Sequence, residues 1–468
     1  MTRYAKRTSG VWLILLLLVG CGRDEPSTTQ PAPGVETPTT TAVRTTDPCA
    51  IVLTPHTGED RIDQEIVRLQ QAARHATDPM AFLERLGWAF VAKARYSFDP
   101  GFYTLAESCA LCIATQRLQS AEALLLRGHV LHNLHRFREA EGLAQQLVAQ
   151  RGLAYDYGLL GDVLLEQGKL AEAVEAYQRM MDQKPSPQAY SRTAHVRWLT
   201  GDLTGALAVM RMAVGVSGFH DAEAAAWAYV RLALYELQAG LLPQASQHMA
   251  AALALQPQYP PALLTRGRML LAEGKNAEAV APLAHAVQLN PLPEYQWGLI
   301  EALQAANRAE EARAIETQLI QRGATNDRRT FALYLATTRR DVITALQLAE
   351  EELSVRADVF TLDTLAWALH AVGRDQEARA YSGRALAEGT QEARLFYHAG
   401  VIAAAVQEPE EAAHWLAQAT SIRQMLWPSE REHLATVAVA VLPQPSTLAV
   451  RQAPEPEHDN SNPEGSKQ

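Results

Sequence analysis

Nine alanines recur along this chain at a nearly constant interval, and that recurrence constrains the fold more than any other feature. They are Ala140, Ala173, Ala206, Ala245, Ala279, Ala312, Ala345, Ala378 and Ala412, spaced 33, 33, 39, 34, 33, 33, 33 and 34 residues apart. Twelve residues before each lies another position that is mostly small: Gly128, Gly161, Ala194, Ala233, Gly267, Ile300, Leu333, Ala366 and Gly400. A turn glycine stands five residues before most of the alanines, at Gly168, Gly201, Gly240, Gly274 and Gly373. Small residues at these two positions let two helices cross closely, while large ones such as Tyr157, Leu160, Leu164 and Tyr177 fill the space beside the crossing. Pro185, Pro257 and Pro291 close units and open the next helix, where a first turn tolerates them. The expected fold is therefore all-α, a stack of helix-turn-helix units in which each unit covers its neighbour's apolar face. A composition 48% apolar but only 7% aromatic suits such an Ala- and Leu-rich helical chain.

The unit "GLLGDVLLEQGKLAEAVEAYQRMMDQKP", residues 158–185, carries this grammar most fully, and it resembles the tetratricopeptide repeat (TPR) family. The resemblance implies an α-solenoid of about ten units over residues 80–426, with the units around Ile300 and Leu333 departing from the pattern. Residues 82–94 look like a further first helix, its partner displaced to about 102–115 behind an inserted loop. The interval of 39 marks a second insertion near residues 214–223. A helix is expected within 60–79 and a capping helix within 427–442.

The two ends read differently. Arg3, Lys6 and Arg7 precede the apolar run "VWLILLLLVG", which at ten residues is too short to span a bilayer. The run closes on Leu18-Val19-Gly20-Cys21, which resembles a bacterial lipoprotein lipobox. The resemblance implies cleavage after residue 20 and lipidation of Cys21, and Gly22 favours the outer membrane, facing the periplasm. Residues 21–59, dense in Thr and Pro, read as a disordered linker, and 443–468 as a disordered tail. Losing residues 1–20 would make the net charge of −10 three units more negative, which argues against nucleic acid as a partner.

In the family this chain resembles, certain first-helix positions line a concave face that holds protein or peptide partners. Carried over unit by unit, they give Trp88, His129, His132, Asp162, Glu166, His195, Trp198, Trp227, Arg268, Trp297, Glu301, Tyr334, Trp367, His370 and Tyr397. Trp and Tyr anchor interfaces, so five tryptophans in that set point to an aromatic groove. The Lys/Asn set of the family's carboxylate-clamp branch is absent, with Leu125 and His129 at matching places. A wall of His129, His132, Asp162 and His195 has residue types that bind zinc, and an alternative reading is a metal-binding or enzymatic protein; a purely structural spacer is another. Neither a phosphate-cradling Gly loop, a His-Glu-x-x-His nor a Gly-x-Ser-x-Gly occurs, so we expect no catalytic residues, cofactor or metal. Cys109 and Cys112 read as packed side chains on a helix, with a local disulfide between them as the alternative, which leaves Cys49 odd in the linker with no assigned partner. The expectation is a membrane-anchored scaffold outside the cytoplasm that binds a protein or peptide in its groove, in assembly or maintenance of a cell-envelope complex.

Overall fold

A computed structural model describes residues 47–216 and 222–441. Cys21, where lipidation is expected, the expected signal peptide, most of the expected linker and the expected tail lie outside the described residues. Among the described residues there are 23 α-helices, one short 3-10 helix and no strand. Helices α1 (Pro48–Val52) and α2 (Arg61–His75) precede ten antiparallel pairs. The first three pairs are α3 (Met80–Ser97) with α4 (Gly101–Gln116), α5 (Ala121–Asn133) with α6 (Phe137–Gln150), and α7 (Ala154–Glu166) with α8 (Leu170–Gln183). Next come α9 (Pro187–Leu199) with α10 (Leu203–Val216), α11 (Ala222–Gln238) with α12 (Leu242–Leu255), and α13 (Pro260–Ala272) with α14 (Asn276–Leu289). The series ends with α15 (Pro293–Ala305) and α16 (Ala309–Asn326), α17 (Arg328–Thr338) and α18 (Val342–Leu353), α19 (Val359–Ala371) and α20 (Asp375–Leu386), and α21 (Ala393–Ala405) and α22 (Pro409–Ser421). The 3-10 turn Arg423–Met425 then leads to α23 (Pro428–Val441).

None of the nine register alanines is more than 2% exposed. The small residues facing them are equally constrained: a Cβ added at Gly161, Gly267 or Gly400 would collide with Tyr177, Leu283 or Leu416 of the paired helix. The irregular units depart as their sequences do, with α16 lengthened to 18 residues and α17 cut to 11.

The array winds tightly enough to meet itself six pairs further on. At the end of α7 the Glu166 carbonyl accepts the Ala357 N–H, 3.1 Å, just before α19. At the end of α9 the Leu199 carbonyl accepts from Thr390 Oγ1, 2.6 Å, just before α21. At the end of α11 the Leu237 and Gln238 carbonyls accept from Gln424 Nε2 at 3.2 and 3.0 Å. Turn glycines make this approach possible. Gly168 and Gly201 hold φ of 74° and 82°, and a Cβ on either would strike the backbone of Ala357 or Gly389.

Two expectations need correction. Residues 47–59 are not linker: Asp47 caps α1 by accepting the Cys49 N–H at 3.0 Å, and Val52 is fully buried. The buried Gln70 amide donates to the carbonyls of Val52 and Thr54 at 2.7 and 2.8 Å, holding a Pro- and Thr-containing segment that composition alone would leave loose. Nor are Cys109 and Cys112 equivalent. Cys112 is disulfide-bonded to Cys49 across 63 residues of sequence, while Cys109 stays a buried thiol whose ionisation burial strongly opposes. The cross-link supplies the stability that the segment's own apolar content lacks.

The turn glycines provide an internal control. Ala at Gly274 or Gly373, whose φ is also positive but whose Cβ would meet open space, should destabilise by about 1–2 kcal/mol. Ala at Gly168 or Gly201 should cost about 1–3 kcal/mol more through the collision between superhelical turns, measured by urea denaturation. Equal losses at all four positions would mean that the turns do not press together. Separately, Cys49→Ser with Cys112→Ser should lower stability by about 2–4 kcal/mol, whereas Cys109→Ala should leave the disulfide intact by thiol titration.

Candidate binding cleft

Because first helices point their inner faces at one another across the closed superhelix, the groove becomes a cavity of about 480 Å³. Seven first helices, α9 through α21, and the segment around the 3-10 turn contribute to its wall. Of the groove residues expected from sequence, Trp198, Trp227, Arg268 and Trp297 line it. Trp227 is 40% exposed, so the cavity opens to solvent past that indole, whereas Trp297 is 1% exposed.

The remaining expected residues are engaged elsewhere. Trp88 on α3 lies against His129 on α5, ring centroids 5.3 Å apart. Burial, with a contribution from His132, pushes the His129 imidazole down to about 4. His132 packs edge-on against Phe137. Burial alone would raise the Asp162 carboxyl, but the bidentate Arg192 guanidinium, at 2.5 and 2.7 Å, holds it below its usual value, and the Tyr177 hydroxyl donates to it at 2.9 Å. Glu166 sits at the contact between superhelical turns, its Oε2 3.4 Å from Arg356 Nη1. His195 stacks on Trp198, and burial together with Arg231 pushes it down to about 3. His129 and His195 both feel the charge of Asp162, and His129 that of His132, but among the described residues no three His, Cys, Asp or Glu side chains gather as metal ligands would.

Five residues placed on the groove by sequence belong instead to the packed interior. Glu301 accepts the Trp297 indole N–H at 3.0 Å and the Ser429 hydroxyl and N–H at 2.6 and 3.0 Å, which ties α15 to α23. Tyr334 donates to Glu316 at 2.6 Å, and Trp367 donates to Thr337 at 3.0 Å while stacking on His398. His370 pairs with Asp375, and Tyr397 with His433, each at 2.6 Å. In this half the first helices pack on one another and α23 packs on α15 and α21, so a position that would face a wide groove faces protein.

Several wall residues escaped the sequence reading. Arg231 lies four residues after Trp227 on one face of α11, a spacing that would have found it. Trp427 could not have been found, because it lies outside the repeat. It packs on Trp297, centroids 6.3 Å apart, with the Arg268 guanidinium 4.0 Å above its ring. Arg394, also on the wall, is gripped by Glu430 at 2.6 and 3.0 Å and lies over Trp297. Burial would raise the Glu430 carboxyl, yet the Arg394 charge holds it below the usual range.

A tetratricopeptide repeat family model matches residues 125–186, 159–222 and 230–292. Those residues carry tetratricopeptide repeats, and the fold is the α-solenoid of such repeats. Among solved structures the chain is similar to one in the crystal structure of the APC/C hetero-tetramer Cut9–Hcn1, at 13% identity and a TM-score of 0.42, with 84% of this chain and 91% of that one covered. It is also similar to YrrB, a TPR protein with an unusual peptide-binding site, at 15% identity and a TM-score of 0.30, with 42% of this chain and 97% of that one covered. No curated protein matches the sequence.

The Arg394–Glu430 pair allows a direct test of how the cavity wall is held. Glu430→Ala leaves a buried guanidinium unpaired and should destabilise the chain by about 3–5 kcal/mol. The double variant Glu430→Ala with Arg394→Met should recover part of that loss in urea melts, and no recovery would mean that the pair is not the wall's main tie.

Proposed function

We propose that this chain is a non-catalytic scaffold that holds a protein or peptide partner in its inner cleft, outside the cytoplasm, anchored to a bacterial membrane through lipidated Cys21. The observation carrying the reading is the aromatic, arginine-bearing cavity that opens past Trp227. Large rigid rings and guanidinium groups on a concave, half-enclosed wall are the groups that anchor protein interfaces. The enclosure narrows the class of partner: a cleft of about 480 Å³ takes a short segment or a protruding loop, not a whole helix laid along it. The Cys49–Cys112 disulfide supports the extracytoplasmic address, since such bonds persist in oxidising compartments. The lipobox-like "LVGC" supports the anchor, and assembly or maintenance of an envelope complex is the role that a tethered scaffold of this kind would serve.

Two measurements test this. Cys21→Ala should abolish incorporation of labelled palmitate and shift the protein from the membrane to the soluble fraction; unchanged labelling overturns the anchor. A photo-crosslinking residue at position 227 should capture a discrete partner in cells, while one at the exposed Ile343 on α18 should not. Identical capture at both positions, or none at 227, overturns the cleft as the binding face.

A further inference from the structure

The arginines on the cavity wall can be paired with carboxylates one by one, and a single one is left over. Arg268 pairs with Glu294 at 3.0 Å, Arg329 with Asp358 at 2.8 Å, and Arg394 with Glu430. Asp363 lies 2.9 Å from the imidazole of the buried His398. Glu392 caps α21, accepting the N–H groups of Arg394 and Leu395 at 2.6 and 3.2 Å. Arg231 differs from all of these. Its Nη2 reaches the Tyr235 hydroxyl at 3.3 Å and His195 Nδ1 at 3.4 Å, and its guanidinium lies over the Tyr235 ring. Both contacts are with neutral groups, and among the described residues no carboxylate forms an ion pair with it.

A guanidinium on a half-enclosed wall is held at a free-energy cost until an anion faces it. One helical turn before it on α11 stands Trp227, also on the wall and 40% exposed, so an apolar plane and an uncompensated positive charge lie side by side. The carboxylates of the wall are engaged by Arg268, by His398 and by the backbone N–H groups at the start of α21. The volume falls within the range of about 300–1,000 Å³ that encloses small ligands, enough for one or two residues of a peptide.

We propose that the Trp227–Arg231 stripe of α11 receives one aromatic side chain of the partner peptide together with a carboxylate next to it. The proposal rests on the peptide-binding reading above and adds the chemistry the cleft selects. The ring would stack on Trp227 while the carboxylate accepts hydrogen bonds from the Arg231 fork.

Three capped tripeptides test it on the full mature chain by titration calorimetry: acetyl-Glu-Trp-Gly-amide, its Gln counterpart and its Lys counterpart. The Glu peptide should bind about tenfold more tightly than the Gln peptide, with the Lys peptide weaker again, and added salt should narrow the gap. Arg231→Gln should abolish the difference between Glu and Gln, Arg231→Lys should retain a preference for Glu, and Trp227→Ala should weaken all three alike. Thermal melts of each variant establish that it is folded. Equal binding of the Glu and Gln peptides to the native chain overturns the anion preference while leaving peptide binding intact. A preference that survives in a folded Arg231→Gln variant overturns the assignment to Arg231. Binding of none of the three at millimolar concentration overturns the peptide-binding reading itself.

Discussion

The structure depends on how closely paired helices can cross. Wherever the second helix of a pair presents Ala173 or one of its equivalents, the side chain is a methyl group or close to it, and the first helix answers with glycine or alanine at most units. A larger side chain at either point would push the axes apart and open voids along the stack, because interiors tolerate neither gaps nor overlap. The irregular units show the rule from the other side. Where Ile300 and Leu333 replace the small residue, the pairs are irregular, with α16 at 18 residues and α17 at 11.

A second constraint acts over a longer distance. Close pairs stacked with a consistent twist bring α19 back onto α7 and α21 onto α9, and glycines at the helix ends let backbone meet backbone there. The same residues that turn the chain between helices therefore also form the contact between superhelical turns. This closure converts a wide groove into a bounded cavity and brings side chains from distant units face to face. It also encloses charges that an open groove would leave solvated, and most of these are neutralised from the adjacent unit, as Arg394 is by Glu430, 36 residues further on.

Helix pairing, the register of small residues and the positions of the turns were legible in the sequence because each depends on local spacing. The tryptophan-rich inner face was partly legible: Trp198, Trp227, Arg268 and Trp297 reach the cavity, while Trp367, Tyr334 and Tyr397 are enclosed by neighbours. Nothing in a single unit's spacing distinguishes these two groups. The difference lies in how far the next turn of the superhelix descends over a given helix. The N-terminal segment was misread for a related reason. Its composition matches a linker, and the covalent partner of Cys49, the amide of Gln70, the His56–Asp63 pair and the burial of Val52 hold it against α4 and α2.

The amino-acid sequence by itself determined that this chain is a series of paired helices, since the period of its small and large apolar residues leaves no other way to bury them. Only the tertiary structure decided that the inner face would close around a cavity, and that Trp427, from beyond the repeats, would help wall it. It alone left Arg231 without an opposing charge. Those outcomes depend on the summed twist of ten helix pairs, and a sum of small rotations cannot be read from any one of its terms.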